Sequence, residues 1–382
     1  MKQLLITLCL LPTLIFGQSD RLANYDWGKK IDTYTFSEDD LTKDEVILFE
    51  KTIVEFSQVE NTLKKFELVH NLKRLNSDAS IEENNKFYIP MNEDTKTLIL
   101  KARVIKPNGD IKEVSEKDIQ QAKDEEGNVK YNYFAFEGIE KGSYIEFLHL
   151  AEYYPEMTGS NITVQGYYPK RKVDVELLYP SYLEFQLLSV NGLEEFKKDE
   201  TDSLVTKMYL SITDLVGLEG EDWSAYNANL KKVYYKLSKN ISRNKGNFYT
   251  YTEVSKLIHA DMFAPLTKKE VKLVNSFISK NTKGATTNLE KVRMLENAMK
   301  KTIPMIDGNF EKDDNIEQIL TKNITNEKGY TKLMLNFLRE MNIPFELVMT
   351  SDRTEEPFLE EFQGYNFLHE YLIYIKEFDK YF

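Results

Sequence analysis

Cysteine is nearly missing from this chain: of 382 residues only Cys9 is a thiol. It lies in an opening stretch with one early cation (Lys2), an apolar run from Leu4 to Phe16, and Gly17 before the polar Gln18-Ser19-Asp20, the layout of a cleavable secretion signal. Removal of residues 1–17 leaves a chain without any thiol, which excludes a disulfide framework and a thiolate nucleophile. Long apolar runs are also lacking. The opening run is too short, and too interrupted by Pro12, to span a bilayer, which takes about 20 apolar residues. No later segment is apolar enough to cross a membrane. A dense Lys/Arg patch is absent, and 62 acidic against 50 basic side chains give a net charge of −12, so nucleic acid is excluded as a partner. Histidine is scarce. His70, His149 and His259 stand apart, without the close His/Cys/carboxylate spacing of a zinc site, and neither metal nor cofactor is expected. With no disulfides, the fold must rest on core packing, for which 22 Phe and 23 Tyr supply large apolar faces.

What is present divides at about residue 240. From Asp44 to Leu237 apolar and polar residues alternate between turns rich in Gly, Asn and Pro, the mark of half-buried strands. Val46–Phe56 opens the series, and Leu98–Ile105 turns through Pro107-Asn108-Gly109-Asp110 into Ile111–Val114. Tyr131–Phe136 and Ser143–Leu150 flank a second turn, and Val173, Val175 and Leu177 alternate with Asp174 and Glu176. Asn191-Gly192 predicts a two-residue hairpin between Phe185–Val190 and Leu193–Phe196. Short strands with frequent turns predict an antiparallel β-sandwich over residues 18–240.

Beyond it the period becomes helical. Thr267-Lys268-Lys269-Glu270 and Thr287-Asn288-Leu289-Glu290 read as capping boxes, each followed by an apolar stripe. Ile316, Ile319 and Leu320 predict a short helix after Asp313-Asp314, and Met334, Phe337, Leu338 and Met341 a longer one that ends near Asn342, before Pro344. Phe345–Met349 and Tyr371–Ile375 read as strands. Residues 241–382 are thus an α+β domain, and the whole chain is a multidomain α+β protein.

The stretch Asn326-Glu327-Lys328-Gly329-Tyr330-Thr331-Lys332-Leu333, running through Arg339 to Asn342-Ile343-Pro344-Phe345-Glu346-Leu347-Val348, resembles the core of bacterial transglutaminase-like proteins. Residues 44–237, with Arg103-Val104-Ile105-Lys106-Pro107-Asn108-Gly109 and Phe136-Glu137-Gly138-Ile139-Glu140-Lys141-Gly142, resemble the β-sandwich domain of unknown function that often precedes it. The resemblance implies a papain-like α+β fold in which a reactive cysteine opens a helix two positions after a glycine. A thiol there feels the helix dipole, a histidine on a neighbouring strand exchanges its proton, and a carboxylate orients the histidine. Laid on this sequence, the cysteine position falls on Thr331 and the histidine on His369. The orienting carboxylate is expected just past Phe382, with Asp379 as the nearest candidate, although Asp379 suits the turn before a last strand better.

A threonine hydroxyl is far less acidic than a thiol and needs a strong base beside it. The expectation is therefore a degenerate, non-catalytic domain in an exported protein of the periplasm or cell envelope, binding a polypeptide or envelope component. In that reading Thr331 serves structurally, near a helix start. The rival readings are a hydrolase or acyltransferase that uses Thr331 and His369, and an incomplete copy of a longer family member, truncated near Phe382. Other features have plain readings. His369 also fits a polar group at a strand end, Asp124-Glu125-Glu126 a solvated hairpin tip, and Glu355-Glu356 and Glu360-Glu361 solvent-facing charge. Tyr153-Tyr154 and Tyr167-Tyr168 fit packing between sheets as well as a ligand platform.

Overall fold

The alternating half of the sequence does form strands. The structure is a computed structural model describing residues 20–28, 34–90, 95–123, 129–199, 201–246, 248–306 and 314–382; the opening stretch with Cys9, the run Asp124-Glu125-Glu126 and Asp313 lie outside those residues. The architecture is mixed α+β with large sheets, in two compact units that divide between Phe248 and Tyr249. The division falls after residue 240 because the strands on either side of that point pair with each other.

The first unit holds the short helices α1 (Asp20–Ala23), α2 (Glu38–Thr42), α3 (Asp78–Asn84) and α4 (Tyr226–Asn229). Its strands begin with β1 (Glu45–Val59), β2 (Thr62–Leu75), β3 (Lys86–Pro90), β4 (Thr95–Ile105), β5 (Ile111–Glu113), β6 (Gln120–Lys123), β7 (Val129–Ala135) and β8 (Tyr144–Tyr153). There follow β9 (Ser160–Thr163), β10 (Lys170–Pro180), β11 (Leu183–Val190), β12 (Lys197–Asp199), β13 (Val205–Leu215), β14 (Lys232–Asn240) and β15 (Lys245–Gly246). An eight-stranded sheet runs β12-β13-β10-β1-β2-β8-β4-β5; β9, β14, β11 and β15 make a second sheet, and β3-β7-β6 a third. One pair departs from the antiparallel expectation. β10 lies parallel to β1, because the chain leaves the large sheet after β8, passes through β9 in the second sheet and returns along the free edge of β1.

Period-two burial places Val54, Phe56, Val173, Val175, Leu177 and Leu210 on one face of the large sheet, against Phe185, Val233 and Tyr235 of the second. Phe56 is central, with ring centroids 4.7 Å from Phe185 and 6.2 Å from Tyr235. The opposite face carries Ile53, Phe66, Leu68, Leu148 and Leu178, covered by Leu22 with Tyr25 and Trp27.

The hairpin predicted at Asn191-Gly192 is not made. Both residues have the positive φ of such a turn (57° and 73°), and the Leu193 N–H closes it onto the Val190 carbonyl at 3.1 Å. Leu193 then buries in the core between the sheets instead of pairing back, because the edge of β11 is already taken by β14. The turn docks on a neighbouring loop through Asn191 Nδ2 to the Leu230 carbonyl (2.7 Å) and Lys231 Nζ to the Gly192 carbonyl (2.7 Å).

The second unit comprises helices α5 (Tyr251–Met262), α6 (Lys268–Asn281), α7 (Asn288–Thr302), α8 (Ile316–Lys322) and α9 (Glu327–Glu340), then strands β16 (Glu346–Thr350), β17 (Glu370–Ile375) and β18 (Lys380–Tyr381). Both capping boxes form as read, Thr267 with Glu270 and Thr287 with Glu290. Leu333, Leu335, Phe337 and Leu338 of α9 are fully buried, which makes α9 the central helix against Val274, Val292, Leu295, Ile319, Ile373 and Ile375. It stops where predicted. Asn342 takes the left-handed conformation at φ 54°, and the Ile343 N–H bonds back to the Leu338 carbonyl at 3.0 Å.

Truncating Phe56 to Ala is expected to cost the first unit about 3–5 kcal/mol, the price range of a large aromatic removed from a closed core. Phe56→Leu should cost much less. Urea denaturation followed by tryptophan fluorescence measures both, and a loss below about 1 kcal/mol for Phe56→Ala would mean that the two sheets share no such core.

Candidate functional site

The functional candidates converge at the N-terminal end of α9, although not on the residue that the sequence motif singled out. Asn326 is the N-cap, its side-chain oxygen accepting from the Gly329 N–H at 2.8 Å, so the helix opens at Glu327. Gly329 sits buried inside the first turn and does not precede the helix. Thr331 lies a full turn in, and its Oγ1 donates to the Glu327 carbonyl at 3.2 Å, the back-bonding usual for a threonine within a helix. The reading of Thr331 as a helix-start residue is therefore corrected. Asparagine fills that role, and the first helical side chain, where a helix-opening nucleophile would stand, is a carboxylate.

That carboxylate borders an open cleft of about 750 Å3 lined by Met305, Ile306, Asn326, Glu327, Lys328, Tyr365, Asn366, Leu368, His369 and Tyr371. The cleft brings Glu327 and His369 together; Thr331 is not in its lining. His369 is exposed at the entry to β17. One wall is held by a short parallel pairing of Met305 with Thr325, in which the Ile306 N–H reaches the Thr325 carbonyl at 2.9 Å. Asp379 occupies the turn between β17 and β18 at φ 50°, accepting from the Tyr374 hydroxyl at 3.0 Å.

The helix start is anchored by a square of charges. Lys328 Nζ lies 2.8 Å from Asp261 and 3.1 Å from Asp314, and Lys332 Nζ lies 2.9 Å from each. Burial pulls the Asp261 and Asp314 carboxyls upward, but hydrogen bonds and attraction from the two lysines outweigh it and leave both below the ordinary carboxylate value. Lys328 is raised for the converse reason, its two carboxylate partners outweighing burial. The Tyr371 phenol on the cleft wall is raised, chiefly by burial and then by its neighbour Tyr365. Glu327 places a fixed negative charge at the positive end of the helix dipole, where a thiolate would otherwise be stabilised. The cleft lining thus combines the Glu327 carboxylate and the His369 imidazole with apolar Met305, Ile306 and Leu368.

The other histidines serve elsewhere. His70 is buried between the Tyr25 hydroxyl on Nδ1 and Glu146 on Nε2, both at 2.8 Å, with Arg103 bonded to the far oxygen of Glu146 at 2.5 Å. Burial of the strap residue Tyr25, with added repulsion from Asp174, Glu146 and Glu176, pushes its phenol up to about 12. His149 meets the Thr97 hydroxyl at 3.2 Å and is lowered by burial, and His259 stacks on Phe263 at 4.5 Å. Among the described residues no three His, Cys, Asp or Glu side chains converge as metal ligands, and no helix is long and apolar enough to cross a membrane. Tyr154 and Tyr167 are exposed, and Tyr167 packs edge to face on the half-buried Tyr168 at 5.0 Å. Sequence reasoning missed Glu327, Lys328 and Tyr365. A signal for the first existed: asparagine followed by an acidic first-turn residue marks a helix start.

Comparison with known proteins adds the following. Residues 67–214 match the family described as "Domain of Unknown Function with solved-structure structure (DUF3857)". No curated protein matches the sequence. Of solved structures, a "putative protease" from Parabacteroides distasonis superposes with a TM-score of 0.62 at 11% identity, over 88% of this chain and 66% of that one. The two therefore share a fold, and this chain spans a little under two thirds of that protein. An M1 zinc metallopeptidase from Deinococcus radiodurans (TM-score 0.28, 7% identity, 50% of this chain and 42% of that one) overlaps too little to establish a common fold. The same holds for a TGase (TM-score 0.22, 11% identity, 55% of this chain and 49% of that one).

Two outcomes test this geometry. In a Cys9→Ser background, cysteine at residue 327 should alkylate with iodoacetamide at pH 7 roughly five to ten times faster than cysteine at residue 331, because a thiol at a helix N-terminus is more acidic; equal rates would contradict the placement of the helix start. The charge square should favour folding above about pH 4 and fade as pH falls through the lowered folded-state values of Asp261 and Asp314, the sign for depressed carboxyls. The raised Lys328 loses its share only at the alkaline end, above about pH 10.5. The stability gap between the native chain and Lys332→Met should then be flat near neutrality and shrink below about pH 4, as followed by urea denaturation at stepped pH.

Proposed function

We propose that residues 249–382 form a transglutaminase-like domain without acyl-transfer chemistry, in an exported cell-envelope protein, and that the cleft beside α9 holds a polypeptide. The observation that carries the reading is Glu327 at the helix start, facing the same cleft as His369. A carboxylate there accepts hydrogen bonds and attracts cations, but it is a poor nucleophile toward an amide carbonyl without further activation. Support comes from the motif through Ile343-Pro344, from a preceding β-rich unit that includes the DUF3857 match, and from the fold shared with the Parabacteroides protein. Export is inferred from the opening sequence alone.

A hydrolytic reading built on Thr331 loses its motivation, because that hydroxyl donates within its own helix. A hydrolase here would have to run on Glu327 and His369 as an acid–base pair, and one experiment separates the two readings. Fluorescein-labelled casein, an unfolded polypeptide, should bind the full chain in an anisotropy titration, and Glu327→Lys should weaken that binding at least fivefold. Release of acid-soluble casein fragments that is abolished by His369→Ala would instead make this chain an enzyme.

A further inference from the structure

A second hollow of the same unit, next to the cleft, has the shape and chemistry of a strand-binding groove. It measures about 770 Å3 and lies between α5 and β16, sharing Tyr365 and Leu368 with the cleft. Tyr251, Val254, Ile258 and His259 recur along α5 at helical spacing and form one wall. Phe345, just before β16, and Leu347 and Met349 within it recur every second residue and form the other. Aromatic pairs brace the hollow. Phe263 stacks between His259 (4.5 Å) and Phe345 (5.8 Å), and Tyr251 stacks on Phe358 (5.6 Å).

β16 is also an edge. Among the described residues it pairs only with β17, through Glu346 to Thr350, and no backbone hydrogen bond from another segment reaches it. It is not buried; its residues are exposed or half-buried. An edge strand carries a row of unpaired N–H and C=O groups on its open side, which the backbone of another extended segment complements directly. The hollow lined by Leu347 and Met349 of this same strand has room, at about 770 Å3, for side chains that point to one side of an added strand.

We infer that β16 is a docking edge for an extended polypeptide segment, which adds as a fourth strand to the sheet and seats apolar side chains at every second position between α5 and β16. The occupant follows from the two surfaces together: backbone groups that call for a strand, and a period-two apolar wall that calls for alternating apolar residues. Lys256 at the lining favours an occupant with an acidic residue among its outward positions, and Glu346 sets a cation opposite the start of β16. The inference rests on the polypeptide-binding reading of the preceding section. It specifies the conformation in which the ligand is held and the way it enters the cleft through Tyr365 and Leu368.

The test uses the full chain and a fluorescent nonapeptide with Leu or Val at alternate positions and Thr, Lys or Glu between them. Two variants carry backbone N-methyl groups at either the odd or the even residues. A strand added at an edge pairs through one side only, so one methylated form should bind at least tenfold more weakly than the parent and the other about as well. Hydrogen exchange at residues 346–350 should slow at least tenfold on binding, and Met349→Glu should lose the peptide with its circular dichroism unchanged. Equal binding by all three peptides, or equal loss by both methylated forms without protection at 346–350, overturns the inference. Protection confined to residues 326–328 and 365–371 would leave the cleft reading standing and remove the groove. Absence of binding by both the nonapeptide and casein would remove both.

Discussion

The start of α9 is the constraint on which the second unit depends. Its body is buried among α6, α7, α8 and the small sheet, so its axis is fixed by packing, while its first turn is fixed by polar ties: the Asn326 cap and the four contacts of Lys328 and Lys332 with Asp261 and Asp314. Either set alone would leave freedom. Packing of apolar side chains is tolerant of small axial slides, and half-exposed ion pairs are individually weak. Together they set which residue opens the helix, and through it the charge at the mouth of the cleft. The same lysine that ties the helix, Lys328, lines that cleft, so the anchoring and the electrostatics of the site are one arrangement.

The first unit solves a different problem. A sheet with apolar residues on both faces needs two covers, and it finds them in the β9-β14-β11 sheet on one side and in Leu22, Tyr25 and Trp27 on the other. The second cover includes polar groups, and these are linked in a chain: Tyr25 to His70, His70 to Glu146, Glu146 to Arg103, with the Arg103 guanidinium over the Trp27 ring at 4.7 Å. Breaking one member of such a buried network leaves an uncompensated partner, so the strap and the ion pair hold each other in place.

Local signals were read well wherever the deciding interaction spans only a few residues. The capping boxes at Thr267 and Thr287, the stop at Asn342 and the turn at Asp379 involve atoms within about one helical turn or one tight turn of each other, and each formed as read. The failures share a cause. Asn191 and Gly192 took the backbone angles of a hairpin turn, yet the strand that pairs with β11 is β14, some forty residues onward, because that partner brings Tyr235 and Val233 into the core. The family resemblance put the helix start at Thr331, two positions after Gly329, whereas the buried N-cap Asn326 had already begun the helix, with Glu327 as its first residue. The shift of four residues is about one helical turn, so it kept nearly the same face but moved the candidate from Glu327, in the cleft lining, to Thr331, a turn further in and outside it.

The sequence by itself determined the composition of the site and the order of the elements: a thiol confined to the opening stretch, strands before helices, and a helix near residues 327–340 followed by a Pro-marked turn into a strand. Those are properties of short-range periodicity and of residue inventory. Only the tertiary structure decided that Glu327 and His369 share a cleft, that His70 is sealed in an ionic network, and that among the described residues β16 pairs on one side only while lining an apolar hollow. Such facts depend on which distant segments compete for the same backbone partners and the same buried area, and that competition is settled by the whole fold.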